Sequence, residues 1–321
     1  MDTKSKIKER AIEIGFDLIG FTDLSPSIYK SEYEEWIQRG FHSDMDFLVR
    51  TKEVRLSPLS RFKWAKSIII AGINYYPGEF PLQQEGQLLI SRYAMGKDYH
   101  YIINNKLYEL TNFITKKTKS KRNKFYTDTG PILEKELAQR AGLGWIGKNT
   151  LLITEEFGSW VFLGEILLDI EIEPDLPEKN KCEDCNLCIE SCPSQALISS
   201  YILNTNICTA YHTVENKGNL PDWFPSNGNR YIFGCDICQE VCPFNKNTKL
   251  TKLKDFLPNE KFINPEIEWL LDLKKDEFIL TFKNTPVEWL GYNLFMRNIN
   301  TFKKRYNNIY NNNDSSYRKE D

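Results

Sequence analysis

The sequence predicts an α/β (α+β) protein in three parts: a layered N-terminal domain, a cysteine-rich unit and a short helical C-terminal region. Three observations predict it. Over the first 170 residues, apolar positions switch between helical spacing and short β-branched runs punctuated by glycine. All eight cysteines fall between Cys182 and Cys242. Beyond residue 251 the pattern returns to helical spacing.

Taken in order, Lys4, Lys6, Lys8, Glu9 and Arg10 interleave with Ile7, Ala11, Ile12 and Ile14, which reads as an amphipathic helix over 4–14 and not as a signal peptide. A strand follows at 18–22, and the Ile-rich run at 67–75 (SIIIAGINY) reads as a buried strand. Ile102, Ile103, Tyr108, Leu110, Phe113 and Ile114 mark a helix after His100. A strand at 124–127 precedes Gly130-Pro131, which opens another helix with proline in its tolerated first turn. Residues 160–170 supply a further strand. Prolines and charges at 171–181 (EIEPDLPEKNK) mark a linker. The core candidates after residue 251 are Phe256, Leu257, Trp269, Leu270, Leu271, Phe278, Leu280 and Phe282, and from residue 307 the periodicity is lost, predicting a disordered tail. The expected division is 1–170, 171–250, 251–306 and 307–321.

Composition narrows the class. The apolar fraction is 41%, the charged fraction 27% and the net charge −2, so no global field favours nucleic acid. Any such contact must come from local basic runs, at Lys116, Lys117, Lys119, Lys121, Arg122 and Lys124, or at Lys246, Lys249, Lys252 and Lys254; taken alone, each run reads first as a solvated loop. The apolar runs near 68–73 and 160–168 are too short to span a bilayer, which places the protein in the cytoplasm. In that reducing compartment eight cysteines serve metal or redox sites better than disulfides.

Their spacing says which. Cys182, Cys185, Cys188 and Cys192 with Pro193 spell C-x2-C-x2-C-x3-C-P, the run by which bacterial ferredoxins hold cubane clusters and send the fourth cysteine to the other cluster. Cys208, Cys235, Cys238 and Cys242 with Pro243 repeat the motif with an insertion between its first two ligands. Crossed pairing gives one 4Fe-4S cluster to Cys182, Cys185, Cys188 and Cys242, and a second to Cys192, Cys208, Cys235 and Cys238. Zinc is the rival, since C-x2-C pairs also bind it, but the reciprocal C-x3-C-P ends have no role in a tetrahedral site.

Clusters conduct electrons, so the chemistry lies on the α/β domain. Two segments there look like site material. Tyr126-Thr127-Asp128-Thr129-Gly130-Pro131 puts a carboxylate at a strand end, where Asp128 is either a functional acid or a helix cap. Residues 141–150 (AGLGWIGKNT) pack three glycines and a Lys-Asn-Thr trio, so backbone there comes close to another element or to a large planar ligand. Nucleotide-binding fingerprints are lacking.

Residues 91–103 (SRYAMGKDYHYII), 128–150 (DTGPILEKELAQRAGLGWIGKNT), the double cysteine motif and 227–243 (NGNRYIFGCDICQEVCP) together resemble the epoxyqueuosine reductase family over about residues 1–300. The resemblance implies a cobalamin-dependent enzyme that performs the last step of queuosine synthesis in the tRNA anticodon. It implies a nitroreductase-like cobalamin-binding domain with a ferredoxin-like two-cluster domain packed on it, and a monomer served by an external low-potential electron donor. The partner would be a tRNA with a GUN anticodon carrying epoxyqueuosine. Many members extend into HEAT-type repeats; with residues 244–321 alone following Pro243, those repeats are expected to be absent. Asp128 falls on the family's proton donor. Cobalamin contacts would come from Asp128, Arg55, Tyr93, Lys148, Asn149, Thr150, Thr213 and Lys217, although Lys217 reads equally well as a loop lysine. His212 is assigned no role, and no motif makes His42, His100 or His212 a cobalt ligand. A reductive dehalogenase-like reductase of a small molecule is the alternative; an electron carrier without a catalytic site would leave residues 128–150 unexplained.

Overall fold

A computed structural model describes residues 2–80, 87–224 and 229–303. The N-terminal part is built on a four-stranded sheet in the order Leu18–Thr22, Ser67–Asn74, Val161–Leu168, Asn123–Tyr126, antiparallel throughout. The Ser67–Asn74 strand is buried along its whole length because helices cover both faces. Strand side chains alternate, so Ile69, Ala71 and Ile73 enter one core with Ile7, Ala11, Ile103 and Leu107, from the helices Thr3–Ile14 and Tyr99–Lys117. Ile68 and Ile70 enter the opposite core with Leu137 and Ala138, from the helix Glu134–Arg140. That is why the run reads as continuous isoleucine and not as alternation.

The other expected elements of this domain form within a residue or two, with one difference. The helix after Gly130-Pro131 begins only at Glu134. Asp128 adopts a positive φ of 59°, which turns the chain sharply and leaves Pro131 in the loop ahead of the helix.

Residues 171–181 form no helix or strand, as a linker should, yet they are fastened down: Asp175 accepts from the Phe21 amide at 3.0 Å and pairs with Lys4 and Lys8 at 2.8 and 3.1 Å. The cysteine-rich unit follows. Two helical turns, Leu187–Glu190 and Ile237–Glu240, pack against each other, and each leads into a Cys-Pro step. The insertion after Cys208 reaches back to the first domain, where Tyr231–Phe233 pairs in parallel with Leu89–Ile90.

The C-terminal helices Ile267–Asp272, Lys275–Thr281 and Pro286–Leu290, with helical residues 292–303, close a third core around Phe262, Phe278, Phe282 and Phe295. Phe278 and Phe282 lie four residues apart on the face that meets this core. Leu280, between them, points away and is exposed, as is Leu257, so neither is a core residue. The core instead recruits Ile232 and Phe233 from the insertion. Phe282 is fully buried and stacked on Phe262 with ring centroids 4.7 Å apart. Phe282→Ala is expected to lose ~3–5 kcal/mol in a denaturant titration. The tail expected to be disordered lies outside the described residues. Among the described residues no helix is long and apolar enough to cross a membrane.

Candidate active site

One cavity of about 490 Å³ gathers the chemistry. Its walls include Asp128, Tyr93, Asn149 and Thr150, together with Cys192, Cys208, Cys235 and Cys238. Those four cysteines are the whole of one crossed set.

All eight cysteines are free thiols. Burial raises the Cys188 thiol pKa, and Cys182, Cys242 and Cys185 beside it raise it further. Burial likewise raises Cys242, with Cys182 and Cys185 as its thiol neighbours. On the other side, burial pushes Cys238 far up, and Cys208 and Cys192 add to it. The thiols therefore crowd in two neighbouring groups, with Cys188 also among those that raise Cys238. Crowded buried thiols disfavour the thiolate; bound metal reverses that preference, so the donor set suits a polynuclear iron centre. Among the described residues no three His, Cys, Asp or Glu side chains converge tightly enough for a single metal ion, and a cubane is held at its corners by more widely spaced ligands.

The local sequence explains how the second set is held. Gly234, at a φ of 71°, brings the chain so close to Ser91 that a Cβ there would lie 2.4 Å from the Ser91 Cβ. The next residues then fall into a buried network in which Asp236 accepts from the Ser91 hydroxyl, from the Arg92 amide at 2.7 Å and from Gln239 at 3.1 Å. Ser159 donates to Gln239 at 2.9 Å, and the Asn149 amide donates to the Cys238 carbonyl at 3.3 Å. Asn149 thus backs the cysteine group as well as lining the cavity. The glycines of 141–150 serve packing between elements: a Cβ at Gly144 would lie 2.1 Å from the Ile153 carbonyl oxygen, and one at Gly142 2.5 Å from that of Leu176 in the linker.

Asp128 is not a helix cap. The Glu134–Arg140 helix has Leu133 at its N-cap with no side-chain cap bond. The Asp128 carboxylate, more than half exposed at 59%, accepts from the Tyr99 hydroxyl at 3.0 Å and lies 3.5 Å from His100 Nε2. The interaction with His100 is the main reason its pKa falls below the usual carboxylate range. Glu134 is shifted the other way: burial and the nearby Asp128 charge raise it to about 7. Glu165, buried on a central strand, is raised well above the usual carboxylate range by burial and then by the Glu134 and Asp128 charges.

The remaining candidates do not all meet here. Arg55 donates to the Ile132 carbonyl at 3.0 Å, and Lys148 donates to Asn186 Oδ1 at 3.0 Å. Thr213 is fully buried, donating to backbone carbonyls such as Thr209 at 2.9 Å, and Lys217 sits 3.8 Å over the Trp289 ring. None of these four lines the cavity. His212 bonds to Asn206 and Asn216, which is a structural role. Sequence reasoning missed Tyr99, His100, Glu134 and Lys135. The signal was within the D-Y-H run of residues 98–100, where an acid, a phenol and an imidazole open a long helix.

A sheet domain and a paired-cysteine unit that share one cavity define a two-cluster iron-sulfur oxidoreductase. Residues 181–245 match the family model described as a 4Fe-4S double cluster binding domain, and residues 55–129 match the one described as Epoxyqueuosine reductase QueG, DUF1730. The chain is 35% identical over 300 residues to the epoxyqueuosine reductase of Vibrio cholerae, covering 92% of this chain and 81% of that protein. It is 38% identical over 270 residues to that of Synechocystis, covering 83% and 92%. Among solved structures, the epoxyqueuosine reductase of Streptococcus thermophilus superposes with a TM-score of 0.83 at 32% identity, over 94% of this chain and 80% of that one. An epoxyqueuosine reductase bound to an epoxyqueuosine-modified tRNA-Tyr stem loop gives 0.84 at 31% identity, over 93% and 80%. The chain belongs to the epoxyqueuosine reductase family.

Proposed function

We propose that the protein reduces epoxyqueuosine to queuosine at the wobble position of a tRNA, with Asp128 as the acid. The observation that carries this reading is the cavity shared by Asp128 and Cys192, Cys208, Cys235 and Cys238. In this reading the crossed sets of cysteines hold two 4Fe-4S clusters, and Tyr93, Asn149, Thr150 and Asp128 face the cobalamin, while Arg55, Lys148, Thr213 and Lys217 are at most outlying contacts. Cobalamin, when bound, supplies the strong reductant. Removing an epoxide oxygen to leave an alkene takes two electrons and two protons and releases water. The chain's own contribution is to deliver protons at the Asp128 carboxylate and to orient it through Tyr99. The sheet with helices on both faces supports the nitroreductase-like form of the first domain, and we divide the chain at 170 and 250 with Tyr231–Phe233 joined to the first domain.

The reading is tested by incubating anaerobically reconstituted protein with cobalamin, a low-potential reductant and tRNA bearing epoxyqueuosine, and then analysing nucleosides by mass spectrometry. Protein that holds iron and cobalamin but makes no queuosine would turn the assignment toward a small-molecule reductase.

For the tRNA surface we propose Arg230, Lys246, Lys249 and Lys252. Lys249 pairs with Glu156 at 2.5 Å and Lys252 lies 4.0 Å from Asp17, so phosphates must compete with those carboxylates. Replacing Lys246, Lys249 and Lys252 together with Glu is expected to weaken tRNA binding and flatten its salt slope, by up to about 0.7–0.9 for each phosphate no longer neutralised, with iron content unchanged. Wild-type affinity at every salt concentration would return these lysines to a solvated loop.

A further inference from the structure

We propose that His100 supplies the proton that Asp128 delivers, its imidazole bridging Asp98 and Asp128 beside the cavity. The inference rests on the reading of Asp128 as the acid and names what stands behind it. His100 Nδ1 lies 2.8 Å from Asp98 Oδ1, and Nε2 lies 3.5 Å from Asp128 Oδ2. A neutral imidazole has one donor and one lone pair, so with carboxylates on both sides one lone pair would face a negative charge; only the doubly protonated ring donates to both. The second of these distances is long, as catalytic hydrogen bonds often are before substrate tightens them.

The ring is also held in place. It stacks on Tyr99 with centroids 4.1 Å apart, Tyr99 stacks on Phe162 at 4.2 Å and 9°, and the Tyr99 hydroxyl donates to the same Asp128 oxygen. With 33% of its side chain accessible, the imidazole can exchange protons with solvent. The electrostatics agree. Burial alone would lower the His100 pKa, but Asp128 and Asp98 outweigh it and raise it to about 9, while His100 in turn keeps Asp128 ionised. Asp98 and Asp128 are the charged groups that face His100; Tyr99, Tyr93, Glu134, Lys135, Glu165 and Glu215 act on it through Asp128.

In the step itself, the Nε2–H bond breaks and an O–H bond forms on the Asp128 carboxylate. Asp128 passes that proton to the epoxide oxygen as the first C–O bond breaks, the oxygen keeping the electron pair, and a second passage along the same relay protonates the resulting hydroxyl as the second C–O bond breaks, the alkene forms and water leaves. The two electrons come from the reductant of the family's reaction, and the neutral imidazole regains its proton from water. Because the folded-state pKa is raised, this supply is present below about pH 9 and is lost as pH rises through that value.

The test pairs kinetics with a direct titration. Wild-type kcat should fall on an alkaline limb near pH 9. His100→Gln should lower kcat at neutral pH by ~10²-fold, the low end for general acid-base catalysis, and abolish that limb. The chain has three histidines, so ¹³C-histidine NMR of the cluster-loaded protein, with His100→Gln as the assignment control, reads the imidazole midpoint without turnover. Asp98→Asn should move the midpoint and the alkaline limb down together, with iron content unchanged; this variant also serves if His100→Gln fails to fold. An unchanged limb in His100→Gln, or a wild-type midpoint near the ordinary ~6.5, would overturn the proposal. Full activity in Asp128→Asn would instead overturn the reading on which it rests.

Discussion

Asp128→Asn is expected to reduce turnover by ~10²–10⁴-fold while both clusters and cobalamin remain bound. The substitution is well matched to the site. Asn tolerates the positive φ of 59° that Asp128 adopts, so the turn survives, and its amide oxygen can still accept from the Tyr99 hydroxyl. What it cannot do is take a proton from His100 and pass it on. The hydrogen bond from Tyr99 and the ion pair with His100 leave the cysteine loops untouched, so iron, labile sulfide and the cobalamin spectrum act as controls. Wild-type turnover in this variant would leave the aspartate only a turn-forming role.

An equally large effect is expected from the cysteines, in a pattern that reports the crossing. Cys242→Ser should strip the cluster built on Cys182, Cys185 and Cys188, although Cys242 closes the second motif. Cys192→Ser and Cys238→Ser should each strip the other cluster and give matching electron paramagnetic resonance spectra of what remains. Each variant should retain about four iron and four sulfide per chain, half the cubane stoichiometry of the wild type, and none should turn over. If Cys242→Ser and Cys238→Ser removed the same cluster, the chain would pair its cysteines motif by motif and the crossed assignment would fail.

Much of this was legible before any fold was known, for physical reasons that differ by element. The strand at 67–74 announced itself because burial on both faces demands an unbroken apolar run. The two-cluster class was legible because cubane geometry imposes spacings that few other structures need. Leu280 misled because a short helix between charged neighbours has too few turns to reveal which apolar side faces inward. The order of the sheet was hidden because the Val161–Leu168 strand, last in sequence, inserts at the centre, and local pattern carries no register across such distances. His100 was passed over for a related reason: its meaning comes from Asp128, which is on a loop far along the sequence and meets this helix start only in the folded chain.

The pairing of Tyr231–Phe233 with Leu89–Ile90 also sets an order of assembly. Leu89 leaves the ribosome well before Tyr231 is made, so the parallel seam can close only after the first cysteine motif and Cys208 have emerged. Gly234 and Cys235 follow directly on that seam and line the cavity. Until it closes, the nascent sheet domain has no complete wall on this side and presents part of its cofactor surface to solvent. The cavity wall can therefore be completed only once the chain through Cys235 has emerged, which places it after the first cysteine motif in the order of assembly.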